Sequence, residues 1–83
     1  MEFHTIKSIK PLENMILEAV FFSGETKKYD IKELIKKYKI FKELENKELF
    51  NKVKVDIGGY GIIWNDNLDL SSEEIWKNGI TVE

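Results

Sequence analysis

The sequence predicts one α+β domain: an antiparallel sheet, built from a three-stranded meander and a β-hairpin, with two or three short helices. Three observations carry this. Apolar stretches at 15–22 and 53–64 are broken by Ser23-Gly24-Glu25 and Gly58-Gly59, which are turn compositions. Two segments, opening at Asp30 and Ser71, carry helix-capping patterns. The 83 residues contain no repeat, low-complexity tract or Pro/Gly/Ser linker, so residues 1–83 read as a single small domain.

Residues 3–10, FHTIKSIK, form the first expected strand. Phe3, Ile6 and Ile9 do not alternate, which requires burial on both faces or a bulge that shifts the register. Pro11 has no amide donor and is expected at the strand's end or just outside it. MILEAVFF, residues 15–22, is apolar on both faces apart from Glu18, as suits a central strand covered on two sides. TKKYDI is its partner after the turn. There Lys27, Tyr29 and Ile31 alternate with Thr26, Lys28 and Asp30, leaving one wetter face.

A helix opens at Asp30, whose carboxylate can accept from free first-turn amides. Glu33 completes a capping-box pattern, with Tyr29 and Leu34 at the staple positions. Ile31, Leu34, Ile35 and Tyr38 share one face. A short helix starting at Asn46 is expected within residues 41–52, anchored by Leu49, Phe50 and Val53.

VKVDI and the segment after the glycines form the hairpin. A two-residue Gly58-Gly59 loop pairs Ile57 with Tyr60, Val55 with Ile62, and Val53 with Trp64, all on one face. A four-residue loop keeps the same parity. A three-residue loop would put Ile63 on that face and turn Trp64 away. In LSSEEIWKNG, Ser71 and Glu74 form a second capping box, Leu70 and Ile75 its staple, and Gly79 a left-handed helix end.

The same residues exclude several chemistries. The glycine cluster lacks the Lys-Ser/Thr and the following helix of a phosphate loop, and it lacks the spacing of a dinucleotide fingerprint. NDNLDLSSEE lacks the alternate acids and central glycine of a calcium loop, so it reads as a turn and a cap. There is no cysteine, hence no disulfide and no thiolate metal site. His4 is the single histidine and reads as a partly exposed strand residue. Ser71 and Ser72 are explained by capping. A small enzyme using His4 or an Asp/Glu pair is the weakest reading. The expectation is no enzyme, no cofactor and no metal.

Charge is uneven. Residues 27–42 hold seven lysines against Asp30 and Glu33, a local +5, and residues 64–83 hold five acids against Lys77, a local −4. A nucleic-acid patch would comprise Lys28, Lys32, Lys36, Lys37 and Lys39, with Lys27 and Lys42 beside them. All thirteen basic residues are lysine, and the planar fork of arginine, which reads phosphate and guanine bidentately, is missing. A solvated helix face is the simpler account. Met1–Lys10 has no apolar signal core, and the longest apolar runs are far short of the ~20 residues of a membrane span. A cytoplasmic protein with no membrane partner is expected.

Taken together, IKSIKPLENMILEAVFFSGETKKYDIKELI and LFNKVKVDIGGYGIIWNDNLDLSSEEIW resemble the small bacterial domain-of-unknown-function family 2442 (DUF2442). The resemblance spans almost the whole chain. It rests on the opening strand, an apolar strand with a "GE" turn, "YD" before a helix, and the "W…LDLSSEEIW" ending. It implies a small α+β domain. Some members are fused to a DNA-binding helix-turn-helix, for which this chain leaves no room, and that argues against autonomous operator binding. Many are encoded beside a small protein of a second family (DUF4160), in pairs with the look of toxin–antitoxin operons. The resemblance therefore implies an antitoxin-like or accessory role, and it transfers no catalytic residue.

The leading expectation is a protein-interaction module for a small protein partner. Its candidate contacts are Tyr60, Trp64, Asp66 and Trp76, because aromatic residues are enriched at interface hot spots. An exposed sheet edge would also permit a homodimer. Nucleic-acid binding through the lysines is the alternative.

Overall fold

The computed structural model describes residues 3–82. They form two antiparallel sheets with short helices, the α+β class that the sequence predicts. The larger sheet contains β1 (Ile6–Leu12), β2 (Ile16–Phe21), β3 (Thr26–Asp30) and β7 (Ile80–Val82), in the order β1-β2-β3-β7. The smaller contains β4 (Lys54–Val55), β5 (Gly61–Asn65) and β6 (Leu68–Ser71), in that order. The helices are α1 (Ile31–Lys37), α2 (Lys47–Phe50) and α3 (Ser72–Asn78).

The first three strands make the expected meander, with two corrections. β1 runs through Pro11, which stands opposite Leu17. β1 is an edge strand of its sheet, and one row of its amides has no ladder to join, so proline is tolerated. The irregular spacing of its apolar residues reflects a register shift between Ile6 and Ser8. β2 is central, but it is not covered on two sides. Leu17, Ala19 and Phe21 are buried, whereas Ile16, Glu18 and Val20 are half-buried. On that outer face Glu18 pairs with Lys10 on one side and Lys28 on the other, an opposite-charge row that suits water.

Asp30 caps α1, its carboxylate accepting from the Lys32 N–H at 2.9 Å. Glu33 does not complete the box. Its carboxylate accepts from Lys36 at 2.8 Å, and the Asp30 backbone belongs to the strand opposite Ile16. α1 buries Ile31 and Leu34 and stops at Lys37, so Tyr38 falls outside its face and is 58% exposed. A 3-10 segment, Lys39–Glu45, leads to α2. Asn46 caps α2 by accepting from the Leu49 N–H at 3.2 Å, at the position the sequence indicates.

The hairpin register also holds: Val55 faces Ile62 and Lys54 faces Ile63. Its loop is the four-residue form, Ile57–Tyr60, closed by the Asp56 N–H donating to the Gly61 carbonyl at 2.9 Å. Gly58 and Gly59 take φ of +76° and +78°. Ile62 and Trp64 point inward with Val53 and Val55. Ile57 and Tyr60 do not: they are 92% and 57% exposed. The cause is Gly59, which is pressed on β1 so closely that a Cβ would stand 2.6 Å from the Ile6 carbonyl. The loop curls against that strand instead of continuing the pleat.

Two strands were not expected. The turn after β5 is short, with the Asn65 side chain accepting from the Asn67 N–H at 2.8 Å, and β6 begins at Leu68. Leu68 is buried and Asp69 exposed, the alternation of a strand that lies between the expected turn and the expected cap, where the Ser71 hydroxyl accepts from the Glu73 N–H at 3.0 Å. β7 follows α3 and pairs with β3. Gly79 is correspondingly extended (φ −76°, ψ 159°) and not left-handed. It is needed for closeness, since a Cβ there would lie 2.5 Å from the Ile75 carbonyl.

The core fills the space among the inner face of the larger sheet, the smaller sheet and the helices. Leu17, Phe21, Leu34, Leu44, Ile62 and Ile75 are each at most 1% exposed. Full burial of such side chains contributes ~1.5–3 kcal/mol each. Among the described residues, no helix is long and apolar enough to cross a membrane.

Candidate interaction surface

Residues 3–5 form an arm that precedes β1 and crosses toward α3. The Thr5 carbonyl accepts from the Phe22 N–H at 3.0 Å, tying the arm to the end of β2. His4 is gripped twice by Glu73: its N–H donates to one carboxylate oxygen at 2.8 Å, and its Nδ1 lies 3.0 Å from the other. The ring hydrogen bond, then the backbone one, hold the Glu73 carboxyl below its usual range. The imidazole stacks on Trp76, with centroids 3.8 Å apart and planes 9° apart. Trp76 also meets the edge of Phe21 at 5.0 Å and lies 4.7 Å from the Lys27 ammonium. His4 is therefore a latch between the arm and α3. Sequence gave no partner for it, because Glu73 is 69 positions away.

The latch places Phe3 against Tyr60, edge to face at 5.5 Å. Tyr60 is fixed from behind. Its carbonyl accepts from the Ser72 N–H at 2.9 Å, and its ring lies over Gly58, where a Cβ would come within 2.8 Å of it. Both rings remain more than half exposed, at 58% and 57%. Phe22, which also lines a shallow cleft with Phe3, His4 and Thr5, is 66% exposed. These side chains form an apolar surface assembled from three distant chain segments, and Ile57, in the same loop as Tyr60, is exposed as well.

The four residues expected to contact a partner are not brought together. Tyr60 is on this surface and Trp76 is half-buried beneath the arm. Asp66 is exposed at the far end of β5, a strand's length from Tyr60. Trp64 is a core residue, 4% exposed, with its ring edge-on to Phe41 at 6.3 Å. Among the described residues its buried Nε1 has no acceptor. Phe3 and Ile57 carried the missing information, Phe3 by breaking the strand's alternation and Ile57 by standing beside two glycines.

The lysine stripe is partly occupied. Lys32 lies 3.1 Å from Asp30 and also donates to the Asn14 carbonyl. Lys36 pairs with Glu33, and Lys27 sits over Trp76. Lys28, Lys37, Lys39 and Lys42 are exposed.

Residues 6–81 match the family model described as Protein of unknown function (DUF2442). The chain belongs to this family. No curated protein matches it. The DUF2442 fold is similar to a crystal structure of a putative DNA binding protein from Nitrosomonas europaea, with a TM-score of 0.74 at 16% identity, covering 92% of this chain and 50% of that one. The chain thus spans about half the length of that protein, and at this identity the likeness is one of fold. Phe22, Ile57 and Tyr60 lie within the DUF2442 match, and Phe3 and His4 stand just ahead of it.

Proposed function

We propose that this DUF2442 chain is a non-enzymatic interaction module of the cytoplasm that binds a small protein partner. The role is antitoxin-like or accessory, as the family resemblance implies, and the partner class is the small DUF4160-type protein encoded next to such chains. The carrying observation is the Phe3–Tyr60 surface. Tyr60 is held by the Ser72 N–H and by packing over Gly58, and Phe3 stands against it next to the latched His4, yet both rings remain more than half exposed. Exposed aromatic anchors on a rigid support are what a protein interface uses. His4 and Glu73 are accounted for as the latch that holds the arm. The test is co-expression with the neighbouring gene product, followed by size-exclusion chromatography and calorimetry. A stoichiometric complex with a Kd in the micromolar range or tighter is expected, and the absence of a complex at micromolar concentrations contradicts the reading.

The second reading is nucleic-acid binding, favoured by the description of the Nitrosomonas protein and by the exposed Lys28, Lys37 and Lys39. Half of that protein lies outside the match, so its description does not place DNA binding in the shared half. This reading expects labelled DNA or RNA to bind with an affinity that falls steeply as salt rises. No shift at low salt removes it.

A further inference from the structure

Beside the aromatic surface lies a cleft with a different character. In the smaller sheet, Lys54, Ile63 and Asp69 stand in one cross-strand row. Asp56, Gly61 and Ser71 stand in the next row on the same outer face, with Asp56 bonded to Gly61 and Gly61 paired with Ser71. The middle residue of that second row has no side chain. The gap is a cleft of about 360 Å³, lined by Asp56, Tyr60, Gly61, Asp69, Leu70 and Ser71. Gly61 is obligatory as its floor, because a Cβ would stand 2.7 Å from the Leu70 carbonyl.

We propose that this cleft receives a basic side chain, arginine in preference to lysine, from the polypeptide segment that covers Phe3 and Tyr60. The inference rests on the protein-interaction reading above and specifies its partner's chemistry. Charge complementarity selects the occupant. Asp69 is exposed and, among the described residues, forms no ion pair. Asp56 uses one oxygen to accept from the Ile57 N–H at 2.8 Å and keeps the other. Lys54 is on the same face but is separated from Asp69 by Ile63. Tyr60 contributes to the lining where its backbone meets Ser71 and Ser72. A guanidinium forks to carboxylate, which an ammonium does less well. The cleft adjoins the Phe3–Tyr60 surface, so the occupant carries apolar residues next to its arginine.

The test uses the ¹⁵N-labelled full chain, titrated with acetyl-Gly-Leu-Arg-Leu-Gly-amide and with the same peptide carrying citrulline, which keeps the shape and loses the charge. The expected result is saturable shifts at Tyr60, Gly61, Asp69 and Leu70, roughly fivefold or more weaker with citrulline and weakened as much by Asp69→Asn. The dispersion of the Asp69→Asn spectrum shows that this variant is folded. Equal shifts with both peptides, centred on Phe3 and Tyr60, overturn the cleft assignment and leave the interaction reading intact. No shift with either peptide also overturns the cleft assignment, and the co-expression experiment then judges the wider reading separately. Shifts at the same amides that grow with protein concentration and need no peptide overturn it in favour of a second copy of this chain.

Discussion

The His4 imidazole lies face to face on the Trp76 indole, 3.8 Å between centroids, while Glu73 from the preceding turn of α3 holds both its ring and its backbone N–H. One residue of the arm is thereby fixed by two residues of one helix, and the neighbouring residue, Phe3, is delivered to Tyr60. Replacing His4 with alanine removes the stack and the ring hydrogen bond. We expect a loss of about 0.5–1.5 kcal/mol, the range for an aromatic pair. A red-shifted Trp76 emission, read in a Trp64→Phe background, reports the freed ring.

The same latch gives a pH dependence. The Glu73 carboxyl titrates below its ordinary value in the folded chain because His4 hydrogen-bonds its charged form. A depressed carboxyl contributes stability that is present above its unfolded pKa, about 4.3, and is lost as pH falls through the folded value. The arm should therefore loosen in acid, below about pH 4.3. The Trp76 emission should shift in that window, and Glu73→Gln should remove most of the shift. An identical acid transition in the variant would show that Glu73 is not the group.

Tyr29 carries the opposite sign. Its hydroxyl donates to Glu74 at 2.9 Å from a 5% exposed position, and burial, then that carboxylate, push its pKa up. A raised pKa contributes stability that is present below the unfolded value, about 10, and is lost as pH rises through the folded value. Stability should fall above pH ~10. In Tyr29→Phe that fall should be shallower, with neutral-pH stability lower by about 1 kcal/mol for the lost hydrogen bond. Urea melts at pH 7 and pH 11 measure both.

Glycine substitutions should separate strain from clash. Gly24 has φ +97° and, among the described residues, nothing lies within 4 Å of its missing Cβ, so Gly24→Ala should cost only the backbone strain, about 1–2 kcal/mol. Gly59 has φ +78° and meets the Ile6 carbonyl at 2.6 Å. Gly59→Ala must also push the loop off β1, and it should destabilise more, by at least a further ~1 kcal/mol. Paired thermal melts decide the order.

Trp64 tests the core directly. Truncation to alanine should cost about 3–5 kcal/mol. Trp64→Phe keeps an aromatic ring and removes the buried N–H that has no acceptor among the described residues, so it should cost under half as much. Equal losses would mean that the indole N–H has a partner in solution.

Local signals in the sequence were enough for the meander, both main helices and the hairpin register. Each is set by neighbours a few positions apart: Asp30 with Lys32, Asn46 with Leu49, Val55 with Ile62. What was not legible depends on distant contacts. Ile57 and Tyr60 leave the inner face because Gly59 meets Ile6, a residue more than fifty positions earlier. β7 exists because β3 offers it an edge, and three residues carry no periodicity of their own. Glu33 and Glu74 fit capping boxes locally, but better partners, Lys36 and the Tyr29–Asn78 pair, captured them. At the candidate surface Tyr60 is the one expected contact, although the hairpin pairing puts it on the face of Ile62 and Trp64 and the structure leaves it 57% exposed. Trp64 was drawn inward by the parity that placed it opposite Val53, and His4 found its carboxylate on the last helix.

The central claim is that the Phe3–Tyr60 surface binds a protein partner. Calorimetry of the neighbouring gene product against the native chain and against a Phe3→Ser/Tyr60→Ser double variant tests it most directly. Both rings are more than half exposed, so the variant should keep its thermal midpoint within a few degrees. We predict that it binds at least tenfold more weakly, a loss of about 1.4 kcal/mol or more. Unchanged affinity in a folded double variant would contradict the account.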